Sequence, residues 1–362
     1  MQNKVILCVE NNKSIKDIKL CNADVCDIFY FNENMSIEAI EQNLRKDENL
    51  NLIVYTSTRD RSYDVIKCLV GGGCCKKQIL NFNLYIENPK YTPFFAFNLN
   101  KKYDGFIFGM SHARIDINET ILKGKWYNFA FESMDMFYQR ELLQRLIQKE
   151  EFTKNIIIEM PYYYFNYDIS KTIETFKIRT RAFFELDEYH HYLESQEGKI
   201  WIDAYKKMLN IAGEISYLKA SNASKIEYIK KFIRFYRRKN FKKVWNESEK
   251  VAISQKLDHV WSIYRNDTIK ENIGIWKNIQ KIIKKLNINL TILICPINPL
   301  FLEKNYIEIS KMKDLFYNSI GNGSFRILDY SDKFDSEVYF SDYCHLNVGG
   351  NALFTKTLKL VL

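Results

Sequence analysis

Tyr103-Asp-Gly-Phe-Ile-Phe-Gly-Met-Ser-His112 decides how this chain is read. Tyr103 to Phe108 is a short apolar run with strand character, and Gly109-Met110-Ser111-His112 follows it as a strand-to-helix turn. A serine at such a turn is exposed, and its own N–H faces any anion that forms beside its hydroxyl. The same position suits a helix N-cap, so Ser111 alone decides nothing about chemistry.

Working outward from that stretch, further strands are predicted at about 127 to 131, 154 to 160, 289 to 295 and 325 to 329, separated by helical patterns. This alternation predicts an α/β fold with a doubly wound parallel sheet, whose ligands sit beyond the C-terminal strand ends. Ser111, Ser133 and Tyr163 each follow such an end. Upstream, Lys4–Val9, Leu50–Tyr55 and Gln78–Phe82 read as strands, with helices near Ser36 to Arg45 and Tyr63 to Val70. Residues 1–82 are therefore expected to form a small α/β domain of parallel type, 83–100 a linker with Pro89 and Pro93, and 101–362 a second domain with a helical insertion over about 171–286. Gly71-Gly-Gly73 follows a helix, where a phosphate-cradling fingerprint must follow a strand, so it reads as a helix stop.

At the other end, Asp342-Tyr-Cys-His-Leu-Asn347 leads into an expected final helix from Val348 to Leu358. Asp342 and His345, three residues apart, let one turn present an imidazole while the carboxylate fixes its tautomer. Asp342 also suits a helix N-cap and His345 a packed loop histidine.

Taken together, Ser111 followed far downstream by Asp342-x-x-His345-Leu-Asn-x-x-Gly350 resembles the SGNH (GDSL-type) hydrolase and acyltransferase superfamily, over roughly residues 100 to 362. Tyr127-Asn128-Phe-Ala-Phe-Glu-Ser133 resembles that superfamily's second block, with Ser133 in the place of a glycine; a backbone donor survives there, although φ > 0 is not free for serine. In the third block, Ile156-Ile-Ile-Glu-Met-Pro-Tyr-Tyr-Tyr164 puts Tyr162 or Tyr163 where an asparagine side chain belongs, leaving Asn166 or a tyrosine hydroxyl as substitute donor. The resemblance implies a flavodoxin-like sheet, Ser111 as nucleophile, His345 as base and Asp342 as its orienter. It also implies an oxyanion hole from the N–H groups of Ser111 and Ser133 with Tyr163, and substrate contacts from Asn128 and Asn166. His112 abuts the nucleophile, but neighbours at a helix start point apart, so it is expected to touch substrate or to pack.

The activity so implied is serine-dependent ester hydrolysis or acyl transfer, an esterase or O-acetyltransferase acting on a carbohydrate during bacterial surface-glycan synthesis, without a cofactor. The alternative is a non-catalytic glycan- or partner-binding protein on a degenerate scaffold of this kind, motivated by Ser133 and the absent third-block asparagine. The N-terminal domain is similar to Rossmann-like modules that precede glycan-modifying domains.

Composition narrows the partners. The formal net charge is +9, and nine basic residues between Lys225 and Lys243 face only Glu227, so that segment carries nearly all of it. Ile226, Ile229, Ile233 and Tyr236 recur at helical spacing, predicting one packed face with the bases fanned outward. Such a stretch is either a solvated face or a contact for an anionic surface or carrier, whereas no recognised nucleic-acid module accompanies it. Eight cysteines, six of them before residue 76, lack any Cys-x-x-Cys pair, and His190-His191 lacks a third ligand at suitable spacing, so no metal is expected. Hydrophobic residues at 46% fit a globular chain. No apolar run approaches the ~18 residues of a membrane span, and the apolar run after Lys4 is too short for a signal segment. A cytoplasmic protein is expected on these grounds.

Overall fold

Two parallel sheets organise the computed structural model, which describes residues 3–10, 20, 23–31, 37–47, 49–57, 59–83, 102–147, 153–171, 190–191, 199–200, 203–204, 207–208, 210–211, 229–230, 232–233, 236–255, 261 and 263–362. The chain divides into two units, Met1–Thr92 with Ile173–Ala220, and Pro93–Thr172 with Ser221–Leu362. The stretch read as one insertion at 171–286 is thereby shared between them.

In the first unit β1 (Asn3–Glu10), β2 (Ala23–Phe31), β3 (Asn51–Tyr55) and β4 (Ile79–Asn81) form a sheet ordered β2-β1-β3-β4, every pair parallel. Strand periodicity explains its two covers. Ile6, Cys8, Leu52 and Val54 point to helices α1 (Ile37–Lys46) and α2 (Arg59–Gly71), packing on Ile40, Leu44, Val65 and Leu69. Val5, Leu7, Val9 and Ile53 point the other way, onto Ala204, Met208 and Ile211 from the distant segment. β2 was not expected from the sequence. It is an edge strand with Val25, Ile28 and Tyr30 exposed, and it slips register opposite Val5 and Ile6, so no clean alternation marks it.

The second unit holds β5 (Gly105–Phe108), α3 (Ser111–Asp116), β6 (Trp126–Asn128), α4 (Met136–Ile147), β7 (Asn155–Glu159), α5 (Glu247–Gln255), α6 (Asn266–Lys285), β8 (Asn289–Ile294), α7 (Pro299–Lys304), α8 (Tyr306–Ile320), β9 (Phe325–Asp329) and α9 (Val348–Val361). Its sheet runs β6-β5-β7-β8-β9, all parallel, so the chain enters mid-sheet, adds β6 on one side and then builds outward on the other. The order reverses between β5 and β7, where open α/β sheets form a crevice at their C-terminal edge. Ile107, Ile157, Leu293, Ala113, Phe354 and Leu358 form one core cluster, which seats α3 and α9 together on the sheet.

Candidate active site

Gly109 shapes the turn that follows β5. Its φ is 150°, and a Cβ there would meet Glu159 and Ala113 at under 3 Å, so only glycine lets the end of β5 lie against the end of β7. Met110 then caps α3, its N–H donating to Glu159 Oε2 at 2.8 Å, and Ser111 opens the helix.

The C-terminal motif reaches the same place through a different device. Asn347 caps α9: its Oδ1 accepts the N–H groups of Gly349 and Gly350, and its Nδ2 donates to the carbonyls of Val338 and Phe340. A Cβ on Gly350 would strike the Tyr339 carbonyl, which accounts for the small residue at that position. Leu346 N–H donates to Asp116 Oδ1 at 2.8 Å, tying the loop before α9 to the end of α3. Asp116 is fully buried, its Oδ2 has no partner among the described residues, and burial pushes its pKa up to about 7.

Between these two supports lies an unbroken hydrogen-bond chain. Ser111 Oγ is 2.8 Å from His345 Nε2, and His345 Nδ1 is 2.9 Å from Asp342 Oδ2. Asp342 Oδ1 accepts the N–H groups of Cys344 and His345 at 2.9 and 2.8 Å, closing the turn that the i, i+3 spacing predicts. Burial opposes the Asp342 charge, but the His345 ring and those two N–H groups outweigh it and hold its pKa well below the ordinary carboxylate value. Burial also opposes a charge on His345, yet its bonds to Asp342 and Cys344 carry its pKa up to about 10.

His112 sits behind His345. Its ring stacks on His345 with centroids 5.1 Å apart and planes 29° apart, and its Nδ1 lies 3.2 Å from Glu159 Oε1. Burial disfavours its cation, but the Glu159 carboxylate prevails and raises its pKa well above the histidine norm. The Cys344 thiol bonds both rings, which lower its pKa against the upward pull of burial.

The remaining candidates take other positions. Asn128, expected to contact substrate, spends its amide on the backbone, donating to the Ala113 carbonyl and accepting Ala130 N–H, and so braces α3. Asn166, also expected to contact substrate, is wholly buried, donating to the Ile263 carbonyl and accepting Arg265 N–H. Tyr162 donates its hydroxyl to Asp329 and also bonds Ser331, while Tyr163 packs edge-on against Trp261 at 4.8 Å. Ser133 lies beyond β6 with φ 55°, a left-handed conformation that costs a serine about 1–2 kcal/mol and that a glycine would adopt freely. Ile229, Ile233 and Tyr236, expected as a packed face, are instead 55, 42 and 58% exposed; Arg234 and Ile226 lie outside the described residues. Lys243 is held over the Trp245 ring and bonds the Ser341 carbonyl.

Glu159, Asp116 and Cys344 are the site residues that the sequence reading missed. Glu159 carried a signal, a single carboxylate closing the apolar run Ile156-Ile-Ile at a C-terminal strand end. A cleft of about 840 Å³ lined by Asp104, Asn155, Asn289 and Arg326 lies at the N-terminal ends of the same strands, opposite the triad. Among known proteins, no family model matches this chain and no curated protein matches it.

Proposed function

We propose that the second unit is a serine-dependent acyl-transfer or ester-hydrolysing domain of SGNH type. The observation that carries this reading is the continuous Ser111–His345–Asp342 chain at 2.8 and 2.9 Å, on a sheet whose order and switch point suit that superfamily. Ser111 Oγ attacks an acyl carbonyl as His345 Nε2 takes its proton; Asp342 keeps the other ring proton on Nδ1, and the imidazolium then returns a proton to the leaving oxygen. The N–H groups of Ser111 and Ser133 serve as oxyanion donors, and the left-handed Ser133 supports the second of these, since strained backbone gathers at functional sites. A carbohydrate ester as substrate rests on the family resemblance. Exposed Ile229, Phe232 and Ile233 beside Arg237, Arg238 and Lys239 support contact of the basic segment with an anionic surface, readable as salt-sensitive binding to anionic vesicles.

A fluorophosphonate probe tests the central reading. Wild type should be labelled on Ser111 and Ser111→Ala spared. No labelling of wild type would favour the second reading, a binding protein on a degenerate scaffold, to which the spent Asn166 amide and the serine in place of glycine at 133 lend support.

A further inference from the structure

Two histidines in this site share one construction. His345 sets Nδ1 on Asp342 at 2.9 Å, and His112 sets Nδ1 on Glu159 at 3.2 Å. A carboxylate accepts, so each Nδ1 carries a proton and each neutral ring turns its lone pair out at Nε2. Carboxylate–histidine pairs of this kind are what orient metal-ligating imidazoles, and here there are two, stacked side by side.

A third donor stands with them. Cys344 Sγ is 3.5 Å from His345 Nδ1 and 4.0 Å from its Nε2, and one ring nitrogen from each of His112 and His345 lies with Cys344 Sγ within 4.8 Å of one another. A tetrahedral zinc ion, with bonds of about 2.0–2.1 Å to nitrogen and about 2.3 Å to sulfur, needs ligand separations of roughly 3.5 Å, so the widest gap must close by roughly 1.3 Å at most. One sulfur and two imidazole nitrogens select zinc-class ions over magnesium or calcium. Side-chain exposures of 19% for His345 and 45% for Asp342 leave a route from solvent.

We propose that His112, Cys344 and His345 form a binding site for a zinc-class divalent ion, and that the ion shuts the active site by taking the His345 nitrogen that Ser111 uses. On binding, the Cys344 S–H bond breaks, its proton leaves to solvent and a sulfur–metal bond forms; any proton on either Nε2 leaves as well. The His345 lone pair passes from the Ser111 hydroxyl to the ion, and water or Ser111 Oγ fills the fourth position. Metal binding itself does not depend on Ser111 being a nucleophile; only the loss of turnover rests on the proposed function.

Cobalt(II) chloride titrated into the full chain with a non-thiol reductant tests the site directly. One equivalent should raise a sulfur-to-cobalt charge-transfer band and the intense red bands of tetrahedral cobalt, and zinc should displace both. Cys344→Ser should abolish the charge-transfer band, and Glu159→Gln, which removes the charge behind His112 while keeping an amide oxygen for Met110 N–H, should weaken binding about 10- to 100-fold. Ser111→Ala should keep the bands, because it removes a competitor for Nε2. Zinc should suppress ester turnover in proportion to occupancy, with recovery on chelation. No bands in wild type, or bands of equal strength in Cys344→Ser, would overturn the proposal. Because Cys344→Ser could fail to fold, thermal melting of that variant and cobalt binding by His112→Gln, which should be lost, supply the second check. Cobalt bands in Ser111→Ala with no ester turnover in any form would leave the metal site standing and remove the hydrolase reading.

Discussion

The two sheets of this chain are both parallel, and each places its first strand in the interior, its second to one side and its third to the other. Their C-terminal edges nevertheless differ. In the first unit the polar groups there satisfy one another: Glu10 accepts Ser57 N–H and faces Arg61, while the Asn83 amide both accepts Thr56 N–H and donates to the Thr56 carbonyl. In the second unit the polar groups at that edge form relays, with Glu159 on His112, His112 on His345, and His345 between Asp342 and Ser111. Topology supplies the crevice in both cases; what differs is which side chains the strand ends carry, and the proposed function rests on those of the second unit.

Four perturbations sharpen or break that contrast. The largest effect belongs to the relay itself: Ser111→Ala or His345→Ala should each lower turnover of p-nitrophenyl acetate by about 10³-fold or more, whereas Ser57→Ala should change it less than twofold. Comparable losses at both edges, or none at Ser111, would dissolve the distinction. Next, Glu159→Leu strands the Met110 N–H and the His112 ring without their buried acceptor, and chemical denaturation should show a loss of about 3–5 kcal/mol.

The pH dependence of kcat/KM comes third. His345 must be neutral to act as base, and its pKa is raised to about 10, so the rate should climb with pH through a midpoint displaced upward from the unperturbed value of about 6.5. Cys344 contributes to that upward displacement, so Cys344→Ala should move the midpoint down; a midpoint that stays put would remove the thiol from the relay. The smallest effect is mechanical. Asn347→Ala uncaps α9 and should cost about 1 kcal/mol in an unfolding titration, with turnover falling only as far as the His345 loop loosens.

Much of this was legible in the chain because the informative residues are local. The β5 run with Gly109-x-Ser111, and Asp342-x-x-His345 before Asn347, each fix their geometry within one turn, and both lie where their spacing predicts. β5, β7 and β8 were readable as apolar runs because both of their faces are covered. What escaped was non-local. Glu159 matters because β7 lies beside β5, Asp116 because α9 returns to α3, and neither relation has a signature in neighbouring residues. Nor does the sequence show that the Asn128 and Asn166 amides bond backbone groups, since a buried amide serves backbone groups as readily as a ligand.

The hydrogen bond from Ser111 to His345 joins positions 234 residues apart, which sets a clock on the protein's synthesis. At translation rates of about 5–20 residues per second, the serine leaves the ribosome roughly 10–50 s before His345 exists. Through that interval its hydroxyl has no imidazole beside it and, on the proposed function, is no more nucleophilic than an ordinary alcohol. On the proposed function, Ser111 gains its base only when α9 docks and Leu346 meets Asp116, so a serine encoded early depends on a segment made more than two hundred residues later.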